Sequence, residues 1–253
     1  MANRIGFRTG ERNVVALLGT EAKRSADLAR RKVWFIHDDG TEKEADYDNP
    51  SFGNSANTLL VAKVGDKFYA AVGIEFKPGL LPDNTNSLDL PPQVFSTPSG
   101  ISVTIPAGAI VTVFGGYNKP NDADAQASAM RELKEESGFD AVSLIFVGKM
   151  LVKPAWTNAN DTLFLAFGEK AEDFSVQTDV SIAKRLWMPF DDLVWLMQKT
   201  AGMGAEVAED AKGSAYYSMT AVTQAAFWLA ANRGYDLNKV ASLFASSAMI
   251  AAA

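Results

Sequence analysis

Two apolar, β-rich runs, residues 58–64 (TLLVAKV) and 67–74 (KFYAAVGI), are separated only by Gly65-Asp66. A two-residue connection between strands leaves room for nothing but an antiparallel hairpin. Glycine in its first position suits a type II′ turn, whose twist matches that of the flanking strands. Any fold must be built around this pair. Further strand candidates lie at 32–36, 101–105, 110–114, 142–152, 162–167 and 184–188. Helical patterns are fewer: 21–30, about 125–137, 190–199 behind Pro189, and 217–232 and 236–248 near the C-terminus, where Arg233-Gly234 and Asp236 supply a stop and a cap. Residues 78–100 hold five of the ten prolines (Pro78, Pro82, Pro91, Pro92 and Pro98) and read as a long loop suited to a lid or a partner contact.

With 253 residues, the chain predicts one large domain or one domain with an appendage. Composition narrows the chemistry further. Lys and Arg number 24 against 30 Asp and Glu, a net charge of −6 that repels phosphate backbones, so nucleic acid is not an expected partner except as a capped RNA end. An acidic protein acting on phosphates needs a cation as intermediary. The chain has no cysteine and a single histidine, His37, which removes thiol nucleophiles, zinc–thiolate sites and any serine triad built on another imidazole. The remaining chemistry rests on carboxylates. The opening MANRIGFRTGERN has no apolar signal core and no run of 18 uninterrupted apolar residues occurs, so the expectation is a cytoplasmic protein without a membrane partner.

The stretch 131–139, RELKEESGF, carries the densest charge. On a helix Glu132, Glu135 and Glu136 stand at i, i+3 and i+4, so three carboxylates share one face within about a turn. Arg131 and Lys134 offset only part of their repulsion, whereas Mg²⁺ or Mn²⁺, hard ions that prefer oxygen ligands, would relieve it directly. The plainer reading is a solvated helix face. Ahead of the helix, Gly115-Gly116 breaks the strand pattern before a polar loop, and Gly138 ends the helix as a C-cap.

This order, GG…REL.EE.G, resembles the Nudix box, G-x5-E-x7-R-E-U-x-E-E-x-G-U with U apolar, whose second half is matched throughout. The first half carries one extra loop residue: fourteen residues separate Gly116 from Arg131 where the pattern has thirteen, and the glutamate position falls on Asp122. The resemblance implies an α/β fold, a Nudix-type α/β/α sandwich with a mixed sheet, spanning 56–200, between an N-terminal extension (1–55) and a C-terminal helical segment (205–253). It implies that Glu132, Glu135 and Glu136 hold the divalent ion, that Arg131 orients a glutamate, and that Gly116 lets backbone approach metal and substrate. It implies a Mg²⁺- or Mn²⁺-dependent pyrophosphohydrolase of nucleoside diphosphate derivatives. Pro154, fifteen residues past Phe139, resembles the proline of ADP-ribose pyrophosphatases of that superfamily, which makes ADP-ribose or an ADP-sugar the leading substrate and NADH, other dinucleotides or damaged nucleotides the runners-up.

Other residues are weighed beside these. Trp156 and Tyr117 fall in loops expected to border the site, where they stack on a base or pack on their own scaffold. Asp161, Asp173 and Asp179 follow the box, and Asp179 is the favoured general base or additional ligand. Lys23, Arg24, Arg30, Arg31 and Lys32 form a basic cluster read as an exposed face. The C-terminal helices, with Phe227, Trp228, Leu229 and Phe244, are expected to pack on the core or to form a homo-oligomer interface. The rival to catalysis is a Nudix-like module serving as a nucleotide sensor or assembly component.

Overall fold

The computed structural model describes residues 4–18, 26–49, 54–151, 160–170, 174, 182–196 and 199. These form β1 (Arg4–Leu18), β2 (Ala26–His37), β3 (Glu42–Asn49), β4 (Ser55–Val64), β5 (Lys67–Phe76), β6 (Gln93–Ser96), β7 (Ser102–Ile105), β8 (Ala109–Thr112), β9 (Phe114–Tyr117), α1 (Ala125–Ser137), β10 (Ile145–Leu151), β11 (Asn160–Gly168), β12 (Ile182–Pro189) and a helix at 190–196, α2. Among the described residues no helix is long and apolar enough to cross a membrane. The expected helices at 217–232 and 236–248 lie outside them.

The hairpin at Gly65-Asp66 is central. Gly65 has φ +59° and Asp66 does not enter the positive-φ region, as a type II′ turn requires. β4 and β5 pair from Val64↔Lys67 only as far as Leu60↔Ala71. Beyond that point they part. Ser55–Thr58 of β4 pairs with β9, and Gly73–Phe76 of β5 pairs with β8. With only Val113 between them, β8 and β9 form a V that fills the wedge and satisfies main-chain groups the parting would leave open. β11 lies parallel to β4, β10 antiparallel to β11, and β12 antiparallel to β5, so the seven-stranded sheet is mixed.

Alternation along these strands feeds two cores. Leu59 and Val61 of β4, Val72 and Ile74 of β5, and Leu163 and Leu165 of β11 face Leu193 and Leu196 of α2. Ala56, Leu60, Ala71 and Ala166 face Ala129 and Leu133 of α1. Burial on both faces explains the near-continuous apolar runs of the central strands, and the sheet between two helices is the α/β/α arrangement expected. Alanines on the α1 side let that helix sit close to the sheet. α1 itself is delimited by local chemistry. The Asp124 carboxylate accepts the Ala127 N–H at 2.8 Å, and Gly138, at φ +76°, donates its N–H to the Lys134 carbonyl at 2.9 Å.

Three expectations are corrected. Residues 26–30, expected within a helix at 21–30, belong to β2, because pairing with both β1 and β3 outweighs their helical propensity. The expected loop at 78–100 contains 3-10 turns at Pro78–Leu80 and Ser87–Asp89 and the strand β6 paired with β7. It is also pinned to β1: Thr9 donates its N–H to the Thr85 carbonyl at 2.9 Å and its hydroxyl to the Pro82 carbonyl at 2.6 Å. Gly115-Gly116, expected to open a loop, lies inside β9, where close backbone approach rather than turn formation requires glycine. A Cβ on Gly115 would stand 2.4 Å from the Ala56 carbonyl oxygen.

The N-terminal sheet β1-β2-β3 joins the central one through Phe7, whose ring centroid lies 5.1 Å from Phe76 and 6.3 Å from Phe35. Gly108 abuts this cluster with φ +74°, and a Cβ there would lie 2.7 Å from both Phe7 Cζ and Leu81 Cγ. Gly108→Ala therefore combines left-handed strain with overpacking and is expected to cost about 2–4 kcal/mol, measured as a shift in the urea midpoint at unchanged slope.

Candidate active site

α1 places its carboxylates unlike a solvated face. Its buried stripe comprises Ser128, Ala129, Glu132, Leu133, Glu136 and Ser137, so two of the three glutamates lie on the side turned to the sheet. Glu132 is 8% exposed and Glu136 6%, while Glu135 is half-buried. The spacing alone fixes a shared face. The burial of Leu133 beside them decides that this face looks inward.

β9 receives both inward carboxylates. The Gly115 N–H donates to Glu136 Oε2 at 2.7 Å. Gly116 stands so close to Glu132 that a Cβ would lie 2.8 Å from its carboxyl carbon. The close approach at Gly116 is made by the Glu132 side chain of α1. Burial pushes the Glu136 carboxyl well above the ordinary glutamate range, with the nearby charge of Glu75 adding to it and the Gly115 N–H and Lys77 opposing. Burial also raises Glu132, against the pull of Arg131.

Arg131 is the hub. Its Nε and Nη2 bind the two oxygens of Asp122 at 3.0 and 2.9 Å, a bidentate pair. Nη2 also reaches the Tyr117 carbonyl at 3.1 Å, while Nη1 donates to Glu132 at 2.5 Å and Glu135 at 3.0 Å. Asp122, at the position where the box has glutamate, accepts the Lys119 N–H at 2.7 Å as well. The Arg131 guanidinium, with the Lys119 N–H, holds its carboxyl far below the aspartate range. One guanidinium thus ties the loop to the helix and sets two of the three glutamates.

Among the described residues no group of three or more carboxylate or imidazole side chains converges as a metal cage. The arrangement supplies the reason: Arg131 draws Glu132 and Glu135 to itself, whereas Glu136 turns to β9. The donor set nevertheless suits Mg²⁺ or Mn²⁺. It offers hard oxygen ligands on one helical turn, and the buried Glu136 carboxylate stands under the repulsion of Glu75, which the charge of Lys77 only opposes.

The other expected site residues divide. Pro154, Trp156, Asp173 and Asp179 lie outside the described residues. Tyr117 is not in a loop but ends β9, half exposed. Asp161 lies within β11 rather than in a loop, 8% exposed, bonded to the Ser55 hydroxyl and abreast of it in the parallel register. Burial raises its carboxyl, with Lys77 opposing. Of the basic cluster, Arg31 is buried, donating to the Leu81 carbonyl at 2.9 Å and paired with Asp83, because β2 turns it under the 78–90 strap.

Sequence reasoning passed over Glu75, Lys77 and Arg185. Glu75 near the end of β5 and Lys77 just past it alternate with Ile74 and Phe76, a polar interruption of an apolar run that could have marked them. Arg185 donates from Nε to the main-chain carbonyl of Glu136 in the last turn of α1. It gives one of the helix's open carbonyls a partner from β12.

No family model and no curated protein matches the chain. Solved structures to which it is similar include an ADP compounds hydrolase (15% identity, TM-score 0.39, covering 87% of this chain and 92% of that one). Others are the NUDIX domain of Shewanella oneidensis NrtR complexed with ADP ribose (12%, 0.40, 59% and 82%) and a C. elegans Ap4A hydrolase (15%, 0.35, 63% and 96%).

Two carboxylates of opposite electrostatics make a matched pair of predictions, both read in EDTA. Asp122, with its depressed pKa, stabilises the fold fully above the ordinary aspartate value of about 3.9 and progressively less as the pH falls below it. The stability gap between wild type and Asp122→Asn should therefore narrow in acid. Glu136, with its raised pKa, must surrender a proton as the pH climbs above the ordinary glutamate value of about 4.3, and the fold loses stability over that climb. Glu136→Gln should thus melt at higher temperature than wild type at pH 8, an advantage that disappears near pH 4.

Proposed function

We propose that the chain is a Mg²⁺- or Mn²⁺-dependent hydrolase of the diphosphate linkage in nucleoside diphosphate derivatives, with ADP-ribose or an ADP-sugar as the leading substrate. The observation that carries this reading is the seating of Glu132 and Glu136 against two glycines of β9, away from bulk water, with Arg131 fixing Glu132 and Glu135. A fold gains no stability from such placement. Repelling carboxylates in a desolvated site are costly unless a cation or a reaction uses them.

Glu132, Glu135 and Glu136 would hold the ion, which when bound supplies charge neutralisation of the diphosphate and Lewis acidity. The chain's own residues do the rest. Arg131 keeps two carboxylates in fixed directions, Asp122 keeps Arg131 in place, and the Gly115 N–H orients Glu136. Burial raises the proton affinity of the Glu136 carboxyl, with the charge of Glu75 adding to it. Asp179 serves as general base or additional ligand, while Pro154 and Trp156 lie over the nucleotide, as the family resemblance implies. Small nucleotides are the partners. A second reading, a nucleotide-binding module without catalysis, draws on the ion pairs of Arg131 with Glu132 and Glu135, which occupy carboxylates that a metal would need.

The deciding experiment measures AMP release from ADP-ribose, NADH and a nucleoside triphosphate with and without Mg²⁺. The expected result is Mg²⁺-dependent release from ADP-ribose, with Glu135→Gln and Glu136→Gln each lowering turnover by about a hundredfold or more while the circular dichroism spectrum stays unchanged. Wild-type protein that hydrolyses none of the three would leave the binding module as the better reading.

A further inference from the structure

Glu136 is the last residue but one of α1, so its carbonyl lies past the end of the intrahelical ladder. The ladder closes one step earlier: the Gly138 N–H takes the Lys134 carbonyl at 2.9 Å, and the Ser137 hydroxyl donates to the Leu133 carbonyl at 2.6 Å. A helix frays first at such a turn, and a carboxylate carried on it swings with the backbone. Glu132 and Glu135 are secured otherwise, through Arg131, which Asp122 holds in turn.

Two strands that are not neighbours grip Glu136 instead. β9 takes its side chain, through the Gly115 N–H at 2.7 Å from Oε2, and β12 takes its main chain, through the bond from Arg185 Nε to the carbonyl. Arg185 lies abreast of Gly73 of β5, and Trp187, two residues on, is buried in the core beneath α1, so strand alternation turns Arg185 to the same face. β9 runs beside β4 and β12 beside β5, so the two grips come from opposite sides of the parted hairpin. We infer that Arg185 is a positioning residue for the candidate reaction: its Nε–H fixes the last turn of α1 and thereby keeps the Glu136 carboxylate seated on the Gly115 N–H, ready for a divalent ion. The part played by the ion rests on the function proposed above; the seating of Glu136 does not.

Two substitutions separate the donor from the charge. Arg185→Gln puts an amide N–H where Nε stood and removes the charge, whereas Arg185→Met puts a methyl group there and removes both. In EDTA, the NMR signal of the Gly115 amide reports its bond to Glu136, and that of the Arg131 Nε–H reports its bond to Asp122. Arg185→Met should shift the Gly115 signal and speed its hydrogen exchange, leave the Arg131 signal in place, and weaken calorimetrically titrated Mn²⁺ about tenfold or more. Arg185→Gln should match wild type in all of these. A role confined to helix stability would move both signals together and follow the charge, so that Arg185→Gln failed as Arg185→Met does. Gly115 and Mn²⁺ binding unchanged in Arg185→Met would overturn the inference while the metal reading stands. Arg185→Gln that departs from wild type overturns it whether or not Arg185→Met folds. A Gly115 signal that depends on the donor, in a protein to which Mn²⁺ does not bind, would uphold the anchoring of Glu136 and sink the metal-dependent reading.

Discussion

The structure depends on the gap between β4 and β5. Two hairpin strands that separate after five residue pairs expose main-chain donors and acceptors to the interior, where each unmet group is expensive. β8 and β9 resolve this by entering the gap as a V, one arm along each strand. The solution dictates sequence. The arm that lies over β4 and under α1 has no room for side chains at two positions, hence Gly115 and Gly116. A helix can then bring carboxylates down onto bare backbone, so the candidate chemistry is a by-product of how the sheet closes.

Electrostatics at this place are asymmetric. Arg131 and Asp122 form a bidentate pair that stabilises the loop–helix junction, and through it Glu132 and Glu135 acquire a partner. Glu136 gains a backbone N–H but no cation at hydrogen-bonding distance among its described contacts, and it faces Glu75. One side of α1 is therefore braced and the other is held under repulsion. Strain of this kind is found where a fold serves something other than its own stability.

Local signals made much of this legible in the sequence. The hairpin, the span of α1 and its glycine cap were readable because turn and capping chemistry act over four residues or fewer. Signals that needed distant partners misled. Residues 26–30 have helix-compatible composition and become a strand through pairing with β1 and β3; 93–96 hide among prolines; Gly115-Gly116 look like a loop when read alone. At the site, spacing placed the three glutamates on one face, but whether that face met water or sheet depended on packing. Spacing allows the i,i+4 pair of Arg131 with Glu135, whereas its hold on the adjacent Glu132 depended on rotamers no spacing encodes. Glu75, Lys77 and Arg185 become functional candidates only through strand order.

The parallel pairing of β11 with β4 has a kinetic consequence. Ser55 and Asp161, neighbours across that ladder, are 106 residues apart in the chain, and β5, β8, β9, α1 and β10 lie between them. Closing so long a loop before its contacts repay the lost entropy is slow, and folds dominated by such pairings reach the native state on the order of milliseconds to seconds. The β4–β5 turn can form in microseconds. The early chain would then carry a hairpin whose open end waits for β8 and β9, with β11 among the last strands to arrive.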